Sequence, residues 1–225
     1  MEKSTAVRKR PVKISGSTAE SRAVRESTLN QARRTLILDA ARSAFFELGL
    51  DGASLREIAK RAGYTPGAIY SYFANLEEIY GALLGESLQR LNQAVEAAKV
   101  GGKSPSASDF LRAKAQAFYL FYRDHPKELD LGFYLFDGMK PRGLTPELNQ
   151  ELNERLMAAL TPVQEQLEAL GLKAEDAVME TSAIFAHIVG VLVLNNTGRI
   201  RLFKQRPDSL FEQYMDSLIR RLPAA

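Results

Sequence analysis

The chain has 225 residues, 45% hydrophobic and 25% charged, which suits one large domain or a small domain fused to a larger one around a real core. It has no cysteine and only two histidines, His125 and His187. Disulfides and thiolate metal sites are excluded, and His-based zinc centres and nucleophile–histidine dyads are disfavoured. The net charge of +3 is unevenly placed: residues 1–34 carry nine basic and three acidic residues, a balance of +6 that leaves −3 for the remainder.

Residues 1–28 are rich in Ser, Thr and basic side chains and show no helical periodicity, so they are predicted to be a disordered basic arm. A basic arm on a slightly acidic body fits a polyanion partner, and a solubilising tail fits the charge equally well. No apolar stretch follows the positive charges, so no signal peptide is expected and the expected location is cytoplasmic. From Arg33 to Leu48, the residues Leu36, Ile37, Ala40, Ala41, Ala44, Phe45 and Leu48 recur at helical spacing, and Gly49 stops that helix.

Three helices with legible starts follow. Ser54 and Glu57 form a capping box before a helix that runs to Ala62, and Gly63 breaks it. Thr65 caps a second helix, Pro66 to Phe73, with proline at its first position. Asn75 with Glu78 opens a third that continues to about Lys99, before a loop at 101–106.

Further helices are expected from about Asp109 to Arg123, onward to about Phe136, and from Thr145 to Leu170 with a kink at Pro162. Two more are expected from Ala174 to Asn195 and from about Ser209, where Glu212 would complete a capping box. No strand pattern or internal repeat is found. The fold class is all-α, about nine helices: an arm (1–28), a helix-turn-helix unit (29–80) and a helical bundle (81–225).

The segment 54–73 has the form of a helix-turn-helix, two short helices joined by a tight turn at Gly63-Tyr64-Thr65. The second helix opens with Pro66, Gly67 and Ala68, small residues that let backbone approach a base pair or a phosphate. Tyr70 and Tyr72 carry hydroxyls suited to phosphate oxygens, while Ile69 and Phe73 face inward. For Tyr70 and Tyr72 the competing reading is packing beneath this helix; for Arg56 it is a solvated charge.

This stretch resembles the DNA-binding region of the TetR family of bacterial regulators. The likeness is carried by Phe45, Phe46, Gly49, Ser54, Ile58, Ala59, Ala62 and Gly63, then by the run from Thr65 to Glu78. The resemblance covers roughly residues 33–85, and Leu76 departs from it where a phosphate-binding lysine is usual. It implies base reading by Arg56, Pro66, Gly67, Ala68 and Ser71, and phosphate contacts from Ser54, Thr65, Tyr70 and Tyr72. Arg56 is the side chain with the chemistry to read a guanine bidentately.

In the body, Phe118, Tyr119, Phe121, Tyr122, Phe133, Tyr134 and Phe136 concentrate aromatic surface on adjacent helices. They either fill the core or line an effector pocket between helices, and the resemblance favours the pocket. His187, amid apolar residues, is a core histidine or a further ligand contact. Ala183 to Leu194 is otherwise apolar but, at twelve residues, too short to span a bilayer; no membrane partner is expected. A helix apolar on all sides must be buried. In TetR-like proteins the last two long helices pair with a second subunit, and Val178, Ile184, Ile188, Val191, Leu192, Phe211, Met215 and Leu218 suit such a homodimer or the core of one subunit.

Enzyme signatures are absent. Gly101-Gly102-Lys103-Ser104 echoes a phosphate-binding loop, but Ala97 stands where its first glycine belongs and no strand precedes it. No catalytic residue, metal or cofactor is expected. The reading is a regulator that binds double-stranded DNA, a repressor released from a palindromic operator by a small apolar or aromatic effector. The alternative is a small-molecule-binding helical protein whose helix-turn-helix does not read DNA.

Overall fold

The computed structural model of the chain describes residues 16–102, 104–133 and 144–222. Over these residues it is built of nine α-helices and one short 3-10 helix, without strands. The first is α1 (Gly16–Gly52), which bends at Gly49, where φ is +71°. Glycine is the residue that tolerates this left-handed backbone without a Cβ clash. The disorder expected for residues 1–28 is corrected over 16–28, which form the first turns of α1. Residues 20–33 are exposed on all sides. A helix that packs on nothing leaves no hydrophobic period in the sequence.

The second half of α1 packs on α2 (Leu55–Ala62) and on the long connector α4 (Leu76–Glu96), and α3 (Pro66–Ile69) packs on α2. Ile37, Ala41, Ala44, Phe45, Ile58, Ala59, Ile69, Phe73 and Ile79 are all buried in this small core. Each large side chain hidden in this way contributes about 1.5–3 kcal/mol.

The body holds α5 (Ala107–Asp124), α6 (Pro126–Phe133), α7 (Pro146–Ala169), α8 (Ala174–Asn196), a 3-10 turn at Arg199–Phe203, and α9 (Pro207–Arg221). Gly81 and Gly85 lie one turn apart on α4 and admit α7 closely; a methyl group on Gly81 would collide with Cδ2 of Leu148. Across the bundle, α5 is fastened to α9 by polar contacts. The Tyr119 hydroxyl donates to Asp208 at 2.7 Å, Arg123 pairs with Asp208 at 3.0 Å, and Arg112 pairs with Glu212 at 2.7 Å and with Asp216.

Two helix starts differ from expectation. Ser106 and Asp109 form a full capping box that begins α5 two residues early. In α9 the expected Ser209–Glu212 box does not form: Pro207 takes the first helical position and Glu212 turns to Arg112. Proline's fixed φ presets the first turn, and a charge-assisted pair outweighs a local cap. Pro162 sits inside α7, which runs on through it.

Candidate nucleic-acid interface

The two motif helices meet at Gly63, whose left-handed backbone (φ +72°, ψ +28°) turns the chain and bonds its N–H back to the Ala59 and Lys60 carbonyls. Ser54 caps α2 by accepting the Glu57 amide at 3.2 Å, and Thr65 caps α3 by accepting the Ala68 amide at 3.3 Å. Both hydroxyls remain exposed and retain their own O–H for a further acceptor. Buried Ile58 and Ala59 hold α2 from beneath, and buried Ile69 and Phe73 hold α3. Regular α-helix in α3 ends at Ile69, short of the expected Phe73; bonds from Ser71 to Ala68 and from Tyr72 to Ile69 continue it as a tighter turn.

Facing outward are Pro66, Gly67, Tyr70 and Ser71, all exposed, with Ala68 half-buried. Tyr70 is 58% exposed, a large solvent face for an aromatic side chain. Arg56 is exposed and has no ion pair or hydrogen bond with any described residue. Tyr72 differs: half-buried against the core, its carbonyl accepts Arg34 Nη1 at 3.0 Å and its hydroxyl accepts Arg33 Nη1 at 3.5 Å. That hydrogen bond from Arg33 raises the guanidinium pKa above its ordinary value. The Arg34 guanidinium lies 4.0 Å over the Phe73 ring. Leu76, where the lysine of the resemblance would stand, packs against the core.

Sequence reasoning missed Arg33 and Arg34 as the fastening between α1 and the turn after α3; adjacent arginines at the base of a helix were the available signal. It also missed Arg61, which joins Glu57 at 2.8 Å, Glu47 at 2.9 Å and the Ser43 hydroxyl at 2.8 Å, locking α2 onto α1.

The aromatic residues of α5 pack against each other and their neighbours. Phe118 meets Tyr122 and Phe185 edge-on at 5.4 and 5.8 Å, Phe121 meets Tyr122 at 5.1 Å, and Tyr119 stacks on Phe211 at 4.5 Å. Among the described residues, Tyr122 borders a cavity of about 40 Å³ together with Leu84, Leu88, Gly132, Leu152, Asn153 and Leu156. A drug-sized site needs about 300 Å³ or more. Tyr134, Phe136 and the Phe133 side chain lie outside the described residues. His187 stacks on Tyr214 at 4.1 Å, with Nε2 3.3 Å from the Leu210 carbonyl, and burial pushes its pKa down.

The dimerisation set is corrected. Ile184, Ile188, Val191, Leu192, Phe211, Met215 and Leu218 are at most 5% exposed within one subunit and have no surface left to offer. Val178, at 46% exposed, is the exception. On α8 the open face instead carries Val178, Met179, Ser182, Ala183, Ala186 and Gly190. With 23 residues and a mean hydropathy of 1.9 over its most apolar window, of which 33% is buried, α8 is by length and composition apolar enough to cross a membrane.

Comparison with known proteins agrees on the family of these elements. The family profile described as "Bacterial regulatory proteins, tetR family" matches residues 37–83, and "Tetracyclin repressor-like, C-terminal domain" matches 111–218. The HTH-type transcriptional repressor Rv1474c of Mycobacterium tuberculosis (strain ATCC 25618 / H37Rv) is 38% identical over 60 residues, 27% of this chain and 32% of that protein. The matched stretch thus spans about a third of that relative's length. Among solved structures, a bacterial regulatory protein in the tetR family from Rhodococcus RHA1 aligns over 86% of this chain and 98% of its own, with TM-score 0.63 and 21% identity. The transcriptional regulator FadR from Bacillus subtilis, solved in complex with stearoyl-CoA, aligns over 81% and 95%, with TM-score 0.56 and 22% identity. These structural likenesses are likenesses of fold.

Proposed function

The chain belongs to the TetR family of bacterial regulators, and from that premise we propose that it is a DNA-binding transcriptional repressor, acting as a cytoplasmic homodimer. The observation that carries this reading is the outer face of α3. Small residues, a capped N-terminus and an exposed Tyr70 stand clear of the protein, while Ile69 and Phe73 anchor the same turns inside it. A surface so arranged lets backbone and hydroxyls reach a phosphate while Arg56 on the neighbouring helix reaches a base edge.

The second subunit is assigned to the open face of α8. Small residues there (Ala183, Ala186, Gly190) permit close helix packing, and burying them removes apolar surface from water. An effector would enter the body beside Tyr122 and Gly132, where the cavity of about 40 Å³ has to widen to admit it. Repression would then be relieved to the extent that the ligand favours the conformation with lower operator affinity.

The test is a titration of the DNA region upstream of the protein's own gene. Arg56→Ala should weaken binding by about 1–3 kcal/mol and relax base preference at one position. Equal weakening on unrelated DNA would remove the base-reading role, and no wild-type binding to any duplex would remove the repressor reading.

A further inference from the structure

The 3-10 turn between α8 and α9 carries side chains that the fold of one subunit does not use. Gly198 (φ +72°) opens it and Lys204 (φ +51°) closes it, both in left-handed backbone, and Ile200 anchors it from within at 4% exposure. Its outer side presents Leu202 and Phe203, 79% and 64% exposed. Around them stand Arg199, Arg201 and Lys204, all exposed and without an ion pair or side-chain hydrogen bond to any described residue. Adjacent large apolar side chains left in water and ringed by polar groups mark a contact surface.

A complementary surface lies on the same chain, at the other end of α8. Along the open face of that helix Met179, Ala183, Ala186, Gly190, Val193 and Thr197 recur at alternating intervals of four and three residues, the spacing of a helix-pairing seam. The seam runs out at Thr197, two residues before Arg199. At its start stand Glu175 and Asp176, exposed and paired with no described cation, while the neighbouring Arg221 is already held by Glu180. Just beyond them is Met179, 72% exposed and second only to Leu202 among the large apolar side chains described.

Closed dimers of identical chains are two-fold symmetric, so this face can meet its copy in one of two directions. In the parallel direction two cationic turns would oppose each other and the helix dipoles would align, which is repulsive on both counts. In the antiparallel direction, with Ala186 on the axis, each turn comes level with the first turns of the other α8. Ala186 is ten residues from Asp176 and ten from Asn196, about 15 Å each way at about 1.5 Å per residue.

We propose that the 199–204 turn is a hook that clasps a second copy of this chain, laid antiparallel along α8. Leu202 and Phe203 cover Val178 and Met179 of that copy, and Arg199 and Arg201 stand beside its Glu175 and Asp176. The proposal rests on the homodimer assigned above to α8 and gives that dimer its direction.

The experiment measures the dimer dissociation constant of the full chain by sedimentation over a dilution series. The parent is compared with Arg199→Glu/Arg201→Glu, with Glu175→Arg/Asp176→Arg, with the four changes combined, and with Leu202→Ser/Phe203→Ser. All these side chains are exposed, and unchanged far-UV circular dichroism verifies the fold. Each double variant weakens the dimer by about tenfold or more, since symmetry counts every contact twice, and the four changes together restore it. The absence of cysteine lets direction be read separately: Met179→Cys/Val193→Cys oxidises to a covalent dimer, and Met179→Cys alone does not. Unchanged constants, weakening that the combination fails to restore, or a covalent dimer of Met179→Cys alone overturns the proposal. A monomeric Ala186→Glu protein in any of those cases leaves the α8 dimer standing. Binding to phosphatidylglycerol vesicles that Leu202→Ser/Phe203→Ser abolishes, with its dimer constant unchanged, assigns the turn to a lipid surface and also overturns it. A dimeric Ala186→Glu protein, or a parent that stays monomeric, overturns both readings.

Discussion

Glu128 offers the sharpest test of how the two halves of the molecule are joined. Its side chain on α6 is 9% exposed; Oε1 accepts Arg90 Nη2 of α4 at 2.6 Å and Arg42 Nη1 of α1 at 3.4 Å. Arg42 also pairs with Glu86 at 2.6 Å, and the second oxygen of Glu128 is buried with no partner among the described residues. Removing one charge from a fully buried pair costs about 3–5 kcal/mol, because the remaining charge is trapped. Neither arginine is trapped here: Arg90 is 41% exposed, and Arg42 keeps Glu86. What Glu128→Gln loses is the charge assistance of its hydrogen bonds, about 1–2 kcal/mol. For a chain of this size that lowers Tm by about 3–6 °C. Urea unfolding followed by circular dichroism measures it, and a cycle with Arg90→Gln should show coupling of at least about 0.5 kcal/mol. A variant as stable as the parent, or more so, would mean that burying this carboxylate costs as much as its pairs return. The reasoning would then be refuted.

Two further outcomes are expected. Ala186→Glu on the open face of α8 should bring the mass in light scattering to the 25.0 kDa of one chain with helicity intact, whereas Ile188→Glu should unfold the bundle; a dimeric Ala186→Glu protein moves the interface elsewhere. His187, whose pKa burial depresses below the ordinary value near about 6.5, stays neutral in the folded protein while the unfolded chain protonates. Stability should therefore fall as pH drops below about 6.5, until the folded pKa is passed. The His187→Phe protein should lose that part of the pH dependence in urea titrations, and a parallel decline in both proteins would place its origin in other groups.

The parts of the fold legible in the sequence were those written locally. Ser54, Thr65, Asn75 and Thr145 each accept the amide three residues on, and those helices start where the side-chain pattern said. The same rule misplaced α9, because Glu212 answers to Arg112, a hundred residues away, and no local pattern records that. The dimer set failed for a related reason. A helix apolar on every side has no polar stripe to separate inward from outward, so the bulky face of Ile184, Ile188 and Val191 looked like an interface. The signal that could have corrected it was size: Ala183, Ala186 and Gly190 share the opposite, open face. The aromatic residues of α5 were legible as a cluster, but whether they enclose a void depends on neighbours from α8 and α9 that the sequence does not place.

Charge pairing divides the surface in a way that bears on both proposed partners. Between α1 and α2, Arg61 is held by Glu47 and Glu57, and Arg34 is held by Tyr72 and Phe73, so these cations are already committed within the subunit. Between α5 and α9, Arg112 and Arg123 are neutralised by Glu212, Asp216 and Asp208. A polyanion gains little from such groups, since binding them means breaking a pair that already exists. Arg56 and the Tyr70 face have no internal partner among the described residues, and the open face of α8 is apolar without a covering element there. Among the described residues, internal interactions therefore leave open these two surfaces, one polar and capped with free donors, the other apolar and lined with small residues. The first has the chemistry for a phosphate backbone and the second for another α8, and neither could exchange roles with the other.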